Sequence, residues 1–346
     1  MVPVMPATYR AVMLLSRGGL DRLHEVELPL VEPGPGELRI RVLASGAGST
    51  DLTMRTGRYP FAPPYPFVPG YEALGVVDAV GAGVAGFAPG QKVAALTVHG
   101  GFAEYLVRGA DHFVPVPDGL DDAETVALIL NYVTAYQMIH RSARLRAGQA
   151  ALVTGANGGV GTALLELLRV ARVRAIGACS ERHFAHVRAL GGEPIPSRGG
   201  PIDEAVRKVL PGGVDAAFDV VGGAGTAGCV RATRRGGTVV GYGFMGTIVN
   251  GKPSTWLMLR GLGSLLVGAR LSGRRGTVYG ISLLYRKDKA PLKEDLPKLF
   301  ALLASRAIAP VIAHRLPLLA ARRSQELLEA GGLTGKIVLL REVGLS

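Results

Sequence analysis

The sequence predicts an α/β chain of two domains, one β-rich and barrel-like, the other a parallel sheet built from βαβ units. Length is the first reason: 346 residues exceed what one hydrophobic core usually organises. Texture is the second. Residues 9–116 break into short alternating segments separated by Gly and Pro, whereas from Ala150 strand-like and helix-like runs take turns. Composition agrees with a globular chain, at 48% hydrophobic and 19% charged residues. The 49 Gly and 22 Pro are spread along it as turns, with no low-complexity linker and no internal repeat of solenoid length.

In chain order, "LRIRVLASGAG", "GVVDAVGAGV", "QKVAAL" and "FAEYLVR" read as strands. "PFAPPYPFVPG" holds too much Pro for a helix or a central strand and reads as a structured loop. Near Pro117 the pattern changes. "DGLDDAETVALILNYVTAYQMIHRSA" opens on acidic residues suited to a helix N-terminus and continues at helical spacing. "ALVTG", "RAIGACS", "DAAFDVVG" and "GGTVVGYG" then read as strands, with helices through Arg169 and Leu190 between them. "RGTVYGISLLY", residues 275–285, is rich in β-branched and aromatic residues and reads as a further strand. "EDLPKLFALLASRAI" and "AARRSQELLEAG" read as helices, and "GKIVLLREV" as a closing strand.

The formal net charge of +12 raises nucleic acid as a partner, but its distribution speaks against it. Arg outnumbers Lys by 31 to 8, in small groups such as Arg141, Arg144 and Arg146, or Arg231, Arg234 and Arg235, without interleaved aromatics. A solvated basic surface is the expectation. The two cysteines, Cys179 and Cys229, lie in apolar contexts and do not suggest a disulfide framework. The N-terminal residues lack a secretory pattern, and the apolar run from Trp256 to Leu271 is interrupted by Arg260 and Arg270. The expectation is a cytoplasmic protein with no membrane and no nucleic-acid partner.

"LVTGANGGVGTALLELL", residues 152–168, is the most informative stretch. Gly158 and Gly161 stand at the second and third positions of a dinucleotide fingerprint, with Ala156 at the first and Asn157, Gly159 and Val160 completing the turn. Small residues there permit a tight turn, close approach of a pyrophosphate and close helix–strand packing, while the helix offers its N-terminal N–H groups to phosphate. The stretch follows a strand, opens a helix and precedes a second strand, the context the fingerprint requires. An NAD-binding chain ends that second strand on an acidic residue, but here "ACSERH" offers Cys179 and Ser180, with Arg182 close behind. A hydroxyl and a guanidinium suit a 2′-phosphate, so NADPH is the expected cofactor. Glu181, if turned inward, would favour NAD instead.

"DLTMRTGRYP", "PFVPGYEALGVV", "GGFAEYLV", "NYVTAY", "GANGGVG" and the terminal "GKIVLL" follow one another in an order and spacing that resembles the medium-chain dehydrogenase/reductase superfamily, in its zinc-independent, quinone oxidoreductase-like branch. The resemblance covers nearly the whole chain. It implies a GroES-like β-barrel domain (residues 1–122 and 290–346) and a Rossmann domain with a doubly wound parallel sheet (residues 123–289), the active site lying between them. It also implies a homodimer paired through the Rossmann sheet edge, for which residues 275–285 are the candidate.

Zinc-dependent relatives hold a catalytic zinc at positions matching Gly48, Tyr71 and about Leu130 here, none of which offers thiolate, imidazole or carboxylate. His99, His112 and His140 have no ligand spacing. No metal is expected. Without that Lewis acid, the implied activity is hydride transfer from NADPH to an activated C=C of an apolar small molecule: an enone, an enoyl compound or a quinone. Reduction of an imine or iminium, or NADPH binding without catalysis, are the alternatives. Thr50 matches a relay hydroxyl of relatives, and Tyr71 could donate to an oxyanion from the vacated ligand position. Tyr59 and Asp51 read as packing and structural residues. By resemblance Thr134 lies near the nicotinamide, and Lys336 matches a lysine near the cofactor, a plain surface lysine being the alternative. Gly222, Gly241 and Tyr242 end strands where ligands of such sheets sit. Gly48 replaces an Asn usual in quinone reductases, which weakens the implication of quinone as substrate.

Overall fold

The computed structural model describes residues 7–59, 61–249 and 252–342. The chain divides into two units: Met1–Leu130 with Arg286–Ser346, and Asn131–Tyr285.

In the first unit, β1 (Thr8–Leu14) and β2 (Leu23–Pro29) form an antiparallel hairpin. The larger sheet comprises β3 (Glu37–Ala47), β4 (Glu72–Val80), β5 (Lys92–Leu96), β6 (Tyr105–Gly109), β7 (Phe113–Pro115), β16 (Ile312–Pro317) and β17 (Lys336–Leu340). Its order is β16-β17-β3-β4-β5-β7, with β6 also pairing β3. Alternation places Leu38, Ile40, Val42 and Ala44 of β3 wholly inside. The closing strand β17 lies antiparallel to β3, with Ile337 opposite Ala47 and Leu340 opposite Ala44, so the chain's last described strand completes the sheet begun by its third.

Helix α1 (Ser49–Arg55) follows β3 directly, and Asp51 Oδ2 accepts the Gly48 N–H at 3.0 Å to cap it. Helix α2 (Asp122–Ala127) begins as its acidic start suggests, with Asp121 accepting the Glu124 N–H at 2.9 Å. It packs on β3, β4, β16 and β17. The helix therefore belongs to the β unit, and the division falls at 130/131 rather than at the expected 122/123. Its apolar face (Ala123, Val126, Ala127) finds the sheet of its own unit, which periodicity alone does not specify. The second division, at 285/286, replaces the expected 289/290. Helices α11 (Ala290–Ala304) and α12 (Ala321–Ala330) complete the unit.

The second unit is a six-stranded parallel sheet in the order β10-β9-β8-β11-β12-β15. The strands are β8 (Ala150–Thr154), β9 (Arg174–Cys179), β10 (Gly192–Pro196), β11 (Val214–Asp219), β12 (Thr233–Gly241) and β15 (Arg275–Val278). This is the dinucleotide-binding order 3-2-1-4-5-6, which reverses direction beside β8. Helices α3 (Val133–Gln137), α4 (Gly159–Val170), α5 (Phe184–Ala189), α6 (Ile202–Val209) and α7 (Thr226–Ala232) connect and cover it. Leu152, Ile176, Ala217 and Val239 of four adjacent strands share one core. A minimal hairpin, β13 (Ile248–Val249) with β14 (Lys252–Pro253), leads into α8 (Thr255–Gly263) and α9 (Ala269–Leu271). Only the first four residues of the expected strand 275–285 are extended. After Gly280 the chain turns into α10 (Ile281–Lys287), whose first turn closes with Leu284 N–H on Gly280 O. Gly280 interrupts the β-branched run, and "ISLLYRK" beyond it places Ser282 and Tyr285 inward at helical spacing.

One buried cation fixes α1 in the β unit. Arg55, 1% exposed, donates to Gln325 Oε1 at 2.5 Å, to Gly18 O at 2.7 Å and to Glu329. Arg55→Met keeps much of the volume but strands a buried amide and a carbonyl. Unfolding in urea should show a loss of about 2–4 kcal/mol; a change below about 0.5 kcal/mol would show that these contacts are replaced by water.

Candidate functional site

In the parallel unit the candidate residues gather at the carboxyl ends of four neighbouring strands. The turn after β8 carries its positive φ, 63°, at Gly155. Ala156 is wholly buried and its N–H reaches Ala178 O at 3.2 Å, so it ties the turn to β9. Asn157, Gly158, Gly159 and Val160 are half-buried along the start of α4, which Gly158 caps. At Gly161 a Cβ would overlap Gly155 O and the Ala156 backbone, so only glycine lets the helix approach its strand this closely. A close-approach turn and a free helix N-terminus together fit a pyrophosphate.

At the end of β9, Ser180, Glu181 and Arg182 are all exposed. Arg182 Nε–H donates to His183 Nε2 at 3.0 Å, which orients the guanidinium and leaves its terminal N–H groups for other acceptors. Burial and the neighbouring Arg182 hold His183 below its ordinary pKa, so it serves as a neutral acceptor. His183 was not anticipated from sequence.

Asp219, at the end of β11, was not anticipated either. It is 1% exposed; Oδ1 accepts the Gly222 N–H and the Val221 N–H, each at 3.0 Å, and Oδ2 accepts the Thr226 hydroxyl at 2.8 Å. Its carbonyl accepts the Tyr242 N–H at 2.9 Å. One residue thus holds Gly222 (φ 70°) and the Gly241–Tyr242 strand end in place. Burial and the Asp219 charge push the Tyr242 phenol well above its ordinary value, so it remains protonated. Thr134 is buried on α3, which Tyr279 anchors by donating its hydroxyl to Gln137 Oε1 at 2.8 Å.

The β unit carries a second cluster. Tyr71 immediately precedes β4, is 1% exposed, and its hydroxyl lies 2.8 Å from that of Tyr59 in an edge-on ring pair. Tyr59 is the more accessible of the two, so the residue read as packing covers the one read as donor. Thr50 is half-buried in the first turn of α1. Lys336 is 4% exposed and pairs with fully buried Glu72, Nζ to Oε1 2.5 Å, which excludes the surface-lysine alternative. Alignment at Oε1 is that of an ion pair rather than a directed hydrogen bond. Glu72 Oε2 accepts the Leu130 N–H at 2.7 Å. A Cβ on Gly46 would overlap Glu72 Oε1, and one on Gly48 would lie 3.7 Å from Lys336 Nζ. The positions matching zinc ligands in relatives, Gly48, Tyr71 and Leu130, therefore surround or adjoin a buried ammonium–carboxylate pair. Among the described residues no group of three or more His, Cys, Asp or Glu could hold a metal. Glu72 was missed in the sequence, where an acidic residue opening an apolar strand, "YEALGVV", is the available signal.

Comparison with known proteins agrees with both halves. The chain matches the alcohol dehydrogenase GroES-like domain over residues 34–118 and the zinc-binding dehydrogenase domain over residues 200–339. It is 33% identical to the mouse synaptic vesicle membrane protein VAT-1 homolog over 255 residues, covering 72% of this chain and 63% of that protein. With rat quinone oxidoreductase it shares 28% over 338 residues, 96% of this chain and 97% of the relative. The solved structure of mycobacterial Rv1454c complexed with NADPH superposes with a TM-score of 0.82 at 26% identity, over 96% of this chain and 99% of that one. The chain belongs to the medium-chain dehydrogenase/reductase superfamily, among the relatives of quinone oxidoreductase and the VAT-1 homologs. It spans just under two thirds of the length of the mouse VAT-1 homolog. Among the described residues no helix is long and apolar enough to cross a membrane.

Asp51 gives this cluster a pH signature. Burial, partly offset by the Gly48 and Gly70 N–H groups and by Lys336, pushes its carboxyl up from 3.8 to about 6. The folded state then holds the proton more tightly than the unfolded one, so the stability it contributes is full below about pH 4 and falls as pH rises through 6. Between pH 4 and 7 the unfolding free energy of the native chain should decline relative to Asp51→Asn by about 2–3 kcal/mol. Parallel profiles, or the opposite slope, would show that Asp51 is charged throughout.

Proposed function

We propose that the chain is an NADPH-dependent reductase that needs no zinc and acts on an activated C=C, in an enone, an enoyl compound or a quinone, of an apolar small molecule. The observation that carries this reading is the hydroxyl pair Tyr59–Tyr71, 2.8 Å apart at a position where zinc-dependent relatives bind metal. Thr134, the turn from Ala156 to Gly161, Ser180, Arg182, Gly222, Gly241 and Tyr242 hold the cofactor in this reading, with Lys336 positioned by Glu72. NADPH, when bound, supplies a hydride.

The chain's own residues supply the rest. The α4 N-terminus and the bare backbone of Gly158 and Gly161 take the pyrophosphate. Arg182 and Ser180 take the 2′-phosphate. Reduction of a conjugated C=C leaves negative charge on the substrate's carbonyl oxygen, which a donor aimed at it stabilises by a factor of about a hundred or more. Tyr59 is the accessible donor, and Tyr71, buried behind it, holds its hydroxyl and can pass a proton to it. Thr50 offers a further hydroxyl. The reduced, buried thiols of Cys179 and Cys229 suit a cytoplasmic setting.

Binding and turnover test this together. NADPH should bind at least about ten-fold tighter than NADH, and Arg182→Ala should narrow that ratio. With a panel of enones, quinones and cyclic imines, Tyr59→Phe and Tyr71→Phe should each lower turnover of the enone or quinone about ten-fold or more at unchanged NADPH affinity. Equal affinity for the two cofactors sinks the first part. Full activity in both Phe variants and in Thr50→Val assigns the proton to solvent, and turnover of imines alone assigns the chain to C=N reduction.

We further propose a homodimer joined through the β15 edge. Among the described residues that edge is unpaired on one side; Val278 (54% exposed) lies on β15 itself and Leu271 (84%) on α9, which packs against it. An open edge beside exposed apolar side chains calls for a cover, and a two-fold axis supplies one from a second copy. Light scattering at micromolar concentration should give twice the chain mass, and Leu271→Glu with Val278→Glu should give the monomer; a native chain that is monomeric there contradicts the pairing.

A further inference from the structure

The β unit contains a cavity of about 320 Å3 that shares no lining residue with the Thr50, Tyr59 and Tyr71 cluster. Tyr9, Phe67, His99 and Tyr105 wall it, with two arginines, Arg39 and Arg108, on its lining. The two arginines are in opposite electrostatic states. Arg39 is fully compensated: it meets Asp78 at 2.5 Å, Glu32 at 3.0 Å and Val31 O at 2.9 Å. Arg108 donates to neutral acceptors, Val107 O at 2.9 Å, His99 O at 3.0 Å and His99 Nδ1 at 3.2 Å. Among the described residues no carboxylate forms an ion pair with it. Glu37 acts on it only through space and spends an oxygen on the Gly34 N–H at 2.9 Å. A guanidinium carries five N–H donors, so these three bonds leave two unspent.

The surrounding backbone is shaped to hold this cation. Gly100 has φ 99°, and a Cβ there would come within 2.9 Å of Arg108 Nη2. Val98 occupies the left-handed region at φ 64°, a position that β-branched residues rarely take and that is sustained only where neighbours over-determine it. The walls are aromatic: Tyr9 and Tyr105 meet edge-on at 6.0 Å, as do Phe67 and His99 at 6.3 Å. Burial, together with Arg108 and Arg286, holds His99 down at about 4, so its ring brings no charge to the cavity at neutral pH. The Tyr9 phenol, raised by burial, keeps its proton as a donor. Partly buried cations without counter-ions are costly unless a ligand supplies the charge.

We propose that this cavity is a binding site for a small aromatic carboxylate, its carboxylate accepting from an unspent N–H of Arg108, at Nε or Nη1, and its ring among Tyr9, Phe67 and Tyr105. The volume stands at the lower end of ligand pockets, which run from about 300 to 1,000 Å3, and suits a single ring with a short substituent. The site is independent of the reductase reading and is tested without turnover.

Calorimetric titration of the full chain with 4-hydroxybenzoate and with the neutral 4-hydroxybenzamide decides it. The carboxylate should bind at least about ten-fold tighter than the amide. Arg108→Met should abolish that preference and Arg108→Lys should retain part of it. In the native chain, saturation with the carboxylate should raise the His99 pKa followed by NMR, because a bound anion offsets the two guanidiniums. Equal affinity for the two probes, no binding of either, binding of inorganic phosphate alone, or an unaltered preference in Arg108→Met overturns the proposal. Should Arg108→Met fail to fold, the native-chain comparison and the His99 titration still decide.

Discussion

The β unit turns on one buried ion pair, Glu72 with Lys336. Lys336 opens β17, which pairs with β3, while Glu72 opens β4 on the other side of β3. Between them stands Gly46, the residue whose side chain would overlap the pair. A one-residue slip of β17 would turn Lys336 to the other face and leave the Glu72 carboxylate buried alone. Breaking such a pair costs about 3–5 kcal/mol, although an apolar replacement of both partners can be neutral. Its value lies therefore in register rather than in net stability. The same carboxylate takes the Leu130 N–H, so the pair also fixes where the chain leaves this unit.

The pair also explains what became of the positions that match zinc ligands. Glycine at 48 leaves the Lys336 ammonium uncrowded, and Leu130 contributes only its backbone. Tyr71 turns its hydroxyl to Tyr59. Positive charge remains beside these positions, but it is already spent on Glu72 and Asp51. In the proposed reading, oxygen-directed chemistry at this end of the unit would fall to hydroxyl groups.

Much of this was legible in the sequence, and what was not has common physical causes. The two textures, period two with turns and then strand–helix alternation, express burial on one face and on both faces of a sheet, and they gave the two units. The Gly161 requirement was legible because close helix–strand approach admits no side chain. Glu72 was not legible, because a polar residue in an apolar run looks like noise until its partner is known, and Lys336 stands 264 positions further on. Asp219 and His183 were not legible because their bonds, to backbone N–H groups two and three residues on and to the adjacent Arg182, depend on turn geometry that residue type does not specify. Tyr59 was read as packing for the same reason. The ends of elements failed where local preference was outweighed: α2 has no signal naming the sheet it covers, and the β-branched run at 275–278 gave way after Gly280.

The turn at residues 97–101 joins the two sites of the β unit. Tyr71 O accepts the N–H groups of both Thr97 and Val98, each at 3.0 Å, and Gly100 N–H returns to Val68 O at 2.7 Å. A valine held at φ 64° costs about 1–3 kcal/mol, and those bonds are what hold it. The strain is thus sustained by the backbone of the residue whose hydroxyl meets Tyr59. On the far side of the same turn, His99 and Gly100 bracket the Arg108 guanidinium. The backbone of Tyr71 and the uncompensated cation of the cavity are therefore positioned by one set of hydrogen bonds. Main-chain bonds that any non-proline residue at 98 can make thus place Tyr71 and the cavity wall together, even though the lining residues of the two sites do not overlap.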